Sequence, residues 1–135
     1  MSGVDANVKL IKEHYGAIWS GDEAALRRQV SPDFVDHGMP PGTPKGVDTV
    51  IAWGKTIRAA FPDMNVTIHQ TVAAGDRVAV HATWHGTHKG TFMGFAPTGK
   101  TISFDGMVFW RVADGKIAER WAVLDSAAMQ RQLQA

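Results

Sequence analysis

The chain has 135 residues, which is the size of one domain spanning residues 1–135. Its 14 lysines and arginines nearly balance its 13 aspartates and glutamates, which argues against a nucleic-acid partner, because nucleic-acid-binding proteins cluster excess basic charge. The chain has no run of about 18 apolar residues, no secretory signal pattern and no cysteine, so we expect a cytoplasmic protein without a membrane span, disulfides or thiolate metal ligands.

The first part of the chain predicts two helices. An amphipathic first helix is indicated by apolar residues at three- and four-residue spacing, namely Val8, Ile11, Tyr15, Ile18 and Trp19. Gly21 offers a left-handed stop, and Asp22 can cap a second helix, in which Leu26 and Val30 are expected to face inward. Pro32 then ends this helix, because the residue before a proline avoids helical angles.

A short extended piece, a loop and a third helix follow. Residues 34–37 are predicted to be extended, and residues 38–46 hold three prolines and three glycines, which is typical of a loop. This loop is either a plain connector or a lid beside a pocket. Apolar spacing predicts a third helix over residues 47–61, and Pro62 ends it.

From Asn65 the apolar period changes to two, which predicts strands. Val66, Ile68 and Val72 alternate with polar residues in the first of them. Two further strands are predicted at residues 77–88 and 100–112. The pair Asp114-Gly115 is typical of a hairpin turn that leads into a last strand at residues 116–124.

A C-terminal helix, capped by Asp125 or Ser126, ends the chain with Met129 and Leu133 facing inward. Three N-terminal helices followed by a succession of antiparallel strands indicate an α+β fold, in which the helices cover one face of a strongly curved sheet. Such a sheet forms a cone that is open at one end, which suits the binding of a small apolar molecule.

Short motifs along nearly the whole chain resemble the SnoaL-like polyketide cyclase (ester cyclase) family of the NTF2-like superfamily. Each motif is weak alone, but their order along the chain is specific. They are Trp19-x-Gly21-Asp22, Phe34-x-Asp36-His37, Gly46, Ala60-Phe61-Pro62-Asp63, Gly86-Thr87-His88-x-Gly90, Thr98-Gly99-Lys100 and Asp114-Gly115-Lys116-Ile117-x-Glu119-x-Trp121.

The resemblance implies an NTF2-like cone-shaped barrel that forms a homodimer through the outer face of its sheet. It also implies cofactor-free ring closure of a polyketide ester by an aldol reaction. Cyclases of this type use an aspartate as general acid/base at the position of Ala122, and some add a histidine at the position of Val108. The side chains of Ala122 and Val108 cannot donate or accept a proton.

Three other residues are candidates for catalysis. His37 fits a base at neutral pH, because the pKa of histidine is about 6.5, and the resemblance places it at the mouth of the cavity. Arg120 shares a strand face with Ala122 and could hold a carbonyl or carboxylate, or could form a salt bridge with Asp36 or Asp105. Asp125 could supply the missing carboxylate or, as its position before a helix favours, cap that helix.

The predicted ligand-binding residues are mostly large and apolar, together with Ala122 at the expected reaction centre and His88 of the family motif. The remaining members are Tyr15, Trp19, Trp53, Phe61, Phe104, Val108 and Trp110. His81 and His85 share one strand face and are predicted to lie in solvent or at an interface. His85 and His88 have a metal-like spacing but would point to opposite faces of a strand, so we expect no metal.

The leading hypothesis is an enzyme that acts without a cofactor on a small hydrophobic carbonyl or ester compound, with His37 transferring the proton. Arg120 or a tyrosine would then stabilise the oxyanion. The alternative is a non-catalytic carrier or sensor with the same fold, which Ala122 and Val108 favour.

Overall fold

The computed structural model describes residues 3–135, and residues 1 and 2 of the predicted domain lie outside that range. The described residues form four helices and five strands. In chain order these are α1 Gly3–Ser20, α2 Glu23–Gln29, β1 Val30–Asp36, α3 Val47–Ala60, β2 Asn65–Ala74, β3 Arg77–Thr87, β4 Thr101–Ala113, β5 Lys116–Leu124 and α4 Ser126–Gln134. None of the helices between residues 3 and 135 has the length and apolar character needed to cross a membrane.

The strands form one sheet in the order β1-β5-β4-β3-β2. The pairs from β2 to β5 are antiparallel, as the hairpin signals predicted, whereas β1 runs parallel to β5. The sheet is therefore mixed. The predicted α+β class, with helices packed on one face of a curved sheet, is confirmed.

The core lies between the helices and the inner face of the sheet. The inward stripe of α1 carries Ile11, Tyr15 and Ile18, all buried as predicted, and α1 contacts α2, α3, β2 and β3. Trp110 of β4 and the residue Phe61 after α3 are among the largest fully buried side chains. Alternate residues of β3 and β4 face this core, as the two-residue period of a strand requires.

Two details of the sequence prediction are wrong, namely the helix assignment of Val30 and the uninterrupted alternation from Val66 to Val72. Val30 is not the last inward residue of the second helix but the first residue of β1, although it is buried. Val72 is 68% exposed, because the pairing of β2 with β3 shifts between Ile68 and Gln70. An extra residue at such a bulge turns every later side chain to the opposite face.

The turns and caps follow the sequence signals. Asp114 and Gly115 both have positive φ, as the favoured two-residue hairpin turn requires. Asp22 accepts a hydrogen bond from the backbone N–H of Ala25, which caps α2 as predicted.

The segment after β3 is fastened to the end of α3. The backbone N–H groups of Lys89 and Gly90 both donate to the carbonyl of Ala60, at 2.8 and 3.1 Å. Next to this contact, the Asp63 carboxylate accepts from the backbone N–H and the hydroxyl of Thr87, both at 2.7 Å, which lowers the pKa of Asp63. These bonds hold the β3–β4 connection against the helical layer.

Candidate functional site

A cavity lies between α1, α3 and the inner face of the sheet. The volume open to the centres of water molecules is about 80 Å³, room for several waters, since one water needs about 10–15 Å³ on this measure. Six predicted site residues line it, namely Tyr15, Trp19, Trp53, Phe104, Trp110 and Arg120. A smaller apolar hollow beside it is lined in part by Trp53, Phe104 and the predicted wall residue Phe61.

An ion pair lies in the wall of this mostly apolar cavity. Asp36 ends β1 and Arg120 lies beside it on β5. The Nη1 of Arg120 donates to both carboxylate oxygens of Asp36, at 3.1 and 3.0 Å, and the two side chains are 17% and 13% exposed. The backbone N–H of Gly38 donates to the same carboxylate at 2.8 Å. Of the two salt bridges considered from the sequence, the one with Asp36 is present.

Three buried polar atoms around the cavity have no hydrogen-bond partner among residues 3–135. They are the hydroxyl of Tyr15 and the indole nitrogens of Trp19 and Trp110. Burial raises the pKa of Tyr15 to about 12, although the charge of Arg120 and the nearby indole N–H of Trp110 oppose this shift. The phenol is therefore a neutral donor at physiological pH. Native proteins rarely leave such groups unsatisfied, so a ligand or water is expected to bond them.

His14 of α1 also lines the cavity, although it is not among the residues predicted from the sequence. Its Nδ1 lies 3.1 Å from the side-chain oxygen of Gln29. Burial lowers the pKa of His14 to about 4, an effect that the Gln29 bond opposes and the charge of Arg120 reinforces. The ring is neutral at pH 7. Its place three residues after Ile11, on the inward stripe of α1, was the signal that could have found it.

His37 lies on the other face of the sheet. Its Nε2 donates to the Glu119 carboxylate at 2.8 Å, and its ring stacks on Trp121 with a centroid separation of 4.9 Å. The His37 bond and, after it, the Arg111 bond lower the pKa of Glu119. His37 is 41% exposed and lines a groove on the outer face instead of the cavity. Because Asp36 faces inward, the next residue of an extended chain faces outward.

The other predicted site residues lie outside the cavity lining. Asp125 accepts from the backbone N–H of Ala128 at 2.9 Å, so it caps α4, as its position in the sequence favoured. Ala122 lies beside Gly38 and Arg120 and lines an open depression that adjoins the cavity at Trp53 and Arg120. His88 and Val108 are both fully buried.

His88 fastens the loop after β3. Its ring Nδ1 is within 3.0 Å of the Thr98 hydroxyl and accepts from the Thr98 backbone N–H at 3.2 Å. The backbone of His88 bonds to Lys100 and Gly99 as well. These contacts hold the two ends of the β3–β4 connection together.

The groove on the outer face, lined in part by His37, is called the outer groove below. It contains exposed apolar side chains, with Met107, Phe109 and Val123 exposed by 62%, 52% and 78%. His81, which also lines it, lies 3.9 Å from the carboxylate of Asp105. His85 lies on the same sheet face and bonds Thr67 at 3.0 Å. Between residues 3 and 135, no cluster of three histidine, aspartate or glutamate side chains is suited to hold a metal ion.

A family model described as SnoaL-like polyketide cyclase matches residues 9–133. Among solved structures, IdmH from Streptomyces antibioticus, a proposed polyketide cyclase, is 36% identical over 96% of this chain and 99% of its own, with a TM-score of 0.83. AclR from Streptomyces galilaeus, a proposed hydroxylase, is 26% identical over 98% of this chain and 87% of its own, with a TM-score of 0.82. A proposed SnoaL-like polyketide cyclase from Jannaschia sp. CCS1, 22% identical over 100% and 96% of the two chains, shares the fold at a TM-score of 0.86. No curated protein matches the chain.

Proposed function

The chain belongs to the SnoaL-like polyketide cyclase family, with its NTF2-like fold, and from this premise we propose that it is a cofactor-free cyclase or isomerase. Its substrate is a small hydrophobic carbonyl or ester compound. The observation that carries this proposal is the Asp36–Arg120 pair in the wall of an apolar cavity, near the unpaired hydroxyl of Tyr15.

General acid/base chemistry fits these groups. A base takes a proton from the carbon next to a carbonyl, and hydrogen-bond donors stabilise the enolate oxygen that forms. The Asp36 carboxylate is the base in this proposal, while Arg120 and the Tyr15 hydroxyl donate to the oxygen. In an aldol cyclisation the enolate carbon then bonds to a second carbonyl carbon of the same molecule, and the alkoxide takes the proton back from Asp36.

In this proposal Asp36 takes the role of general base, for which two other carboxylate positions were considered from the sequence. The family resemblance implies an aspartate at the position of Ala122, which this chain lacks, and Asp125 is engaged in capping α4. Asp36 ends β1, so its carboxylate enters the cavity from the strand next to β5. The predicted role of His37 is a rival assignment that requires the substrate to reach the outer groove.

Substitutions can separate the two assignments. Any bound molecule is first released by denaturing the purified protein and identified by mass spectrometry, and it or its close analogues then serve as substrates. We expect Asp36→Asn to lower kcat by about 100-fold or more, which is the usual contribution of a general base. His37→Ala should leave kcat nearly unchanged, because its ring lies on the opposite face of the sheet. The reverse pattern would assign proton transfer to His37.

A carrier or sensor is the second candidate, and Ala122 favours it by removing an acid from the position beside Arg120. The same bound molecule distinguishes the two functions. If it is recovered chemically unchanged after long incubation with the protein, the carrier is supported; if it is converted, the enzyme is supported.

We also propose that a second copy of the chain covers the outer groove. The groove exposes Met107, Phe109 and Val123, and it also contains His81 and Asp105, so each copy offers apolar surface and hydrogen-bonding groups to the other. A two-fold axis places the same patch of both copies together, so the patch must be complementary to itself. A surface that combines apolar side chains with hydrogen-bonding groups meets this requirement.

Charged substitutions in the outer groove should therefore break the dimer. We expect Val123→Lys to shift the protein from dimer to monomer in analytical ultracentrifugation, because a lysine buried in the interface would lose its hydration without gaining a partner. Met93→Lys is the matched control, since Met93 is 52% exposed but lies in the β3–β4 connection. A wild-type monomer at high concentration, or an equal effect of both substitutions, would contradict the dimer.

A further inference from the structure

His14 presents a hydrogen-bond acceptor to the cavity. Its Nδ1 faces the amide oxygen of Gln29 at 3.1 Å, and an amide oxygen can only accept, so the proton of the neutral ring is on Nδ1. The other ring nitrogen, Nε2, then carries a free lone pair. Within residues 3–135, Gln29 is the only hydrogen-bonding partner of the His14 ring. The low pKa of His14 keeps the ring in this neutral form over the physiological range.

Unpaired donors lie next to this acceptor. The ring of Trp110 meets that of His14 edge-on, with centroids 5.4 Å apart, and meets that of Tyr15 in the same way at 5.9 Å. The indole N–H of Trp110 and the hydroxyl of Tyr15 are two of the buried groups without a partner. One end of the cavity therefore combines an acceptor on His14 with donors on its two neighbours.

We propose that this end of the cavity recognises a hydroxyl group of the ligand. A hydroxyl can donate to Nε2 of His14 and accept from Tyr15 or Trp110 in the same position, whereas a ketone can only accept and a methyl group can do neither. The inference rests on the proposed function, since it takes the cavity as the substrate site. It narrows the substrate class to hydrophobic carbonyl compounds that also carry an alcohol, enol or phenol.

A pair of probes of matched shape tests this proposal without any substrate. The probes are 2-naphthol and 2-methylnaphthalene, which differ by a hydroxyl in place of a methyl group. Binding is measured by NMR titration of the indole N–H resonances, among which that of Trp110 should shift. We expect the naphthol to bind about tenfold more tightly, the advantage of one or two well-formed hydrogen bonds in a buried site.

The variant His14→Phe should abolish this preference while the affinity for 2-methylnaphthalene stays the same, because phenylalanine keeps the ring contact with Trp110 but has no acceptor. His85→Phe is the matched control, since His85 lies on the outer face of the sheet, and it should keep the full preference. Tyr15→Phe provides a second variant that should weaken naphthol binding alone.

Equal affinity of the wild-type protein for both probes would overturn the proposal, as would a preference that survives in His14→Phe. Neither result depends on turnover, so the loss of hydroxyl recognition is distinguishable from failure of the proposed chemistry. An enzyme that turns over a substrate without any hydroxyl would refute the recognition and leave the role of Asp36 intact.

Discussion

Replacing Asp36 with asparagine is expected to destabilise the fold by about 2 kcal/mol, because it leaves the charge of Arg120 in the wall of an apolar cavity without a counter-charge. A fully buried pair would cost more, but these side chains are 17% and 13% exposed, so water screens part of the charge. Asparagine keeps the shape of aspartate and can still accept from Gly38. The loss therefore reports on charge and not on packing.

A double-mutant cycle measures this interaction. We expect Asp36→Asn and Arg120→Met together to cost about 1 kcal/mol less than the sum of the single changes, since the double variant leaves no unpaired charge. Urea unfolding followed by far-UV circular dichroism, at one protein concentration, gives the four free energies. Lys9→Met is the control, because it breaks the exposed pair with Glu13 and should cost at most about 0.5 kcal/mol. Additive effects would show that the cavity pair is not coupled.

Gly90→Ala should destabilise the protein by about 3 kcal/mol, near the upper end of the usual cost of overpacking. A methyl group at this position would overlap the backbone oxygen of Ala59 and lie 3.1 Å from the Cα of Ala60. Both atoms belong to the backbone of α3, so they cannot rotate away as a side chain would. The change would separate the β3–β4 connection from the end of α3.

Gly16→Ala makes the same chemical change with the opposite expected sign. A methyl group on Gly16 meets nothing within 4 Å, and the residue lies inside α1. We expect a gain of about 0.5–1 kcal/mol from the greater helix propensity of alanine. Thermal and urea unfolding of both variants test the pair of predictions. An unchanged stability in Gly90→Ala would mean that the contact between the connection and α3 is loose.

Local signals were enough to predict most of the fold. The period of three to four in α1, the Asp114-Gly115 turn and the Asp125 cap are each determined by residues close together in the chain. The parallel pairing of β1 with β5 was not predicted, because it joins segments about 84 residues apart and depends on how α3 crosses the sheet. The bulge in β2 was not predicted for a similar reason, because it is defined by the pairing of β2 with β3.

In the candidate site, too, some residues were predicted from local sequence patterns and others were not. The aromatic walls were predicted because large side chains on inward stripes face a cavity or a core. Asp36 was considered only as a partner of Arg120, and His37 was preferred as the base because a histidine pKa fits neutral pH. The alternation of side chains in an extended segment determines which of the two faces the cavity, but the sequence alone does not show which face of the segment points inward. His14 was not predicted because it lies among the apolar residues of α1, and burial in the core is enough to explain the spacing of those residues.

The pairing of β1 with β5 also determines when this site can first exist. Because Asp36 and Arg120 are 84 residues apart in the sequence, a growing polypeptide contains one half of the ion pair long before the other. Contacts of such wide sequence separation slow folding, since a long loop must close before they contribute. Fragments of this protein that stop before β5 therefore contain Asp36 without Arg120, and we expect them not to bind a molecule that the intact cavity holds.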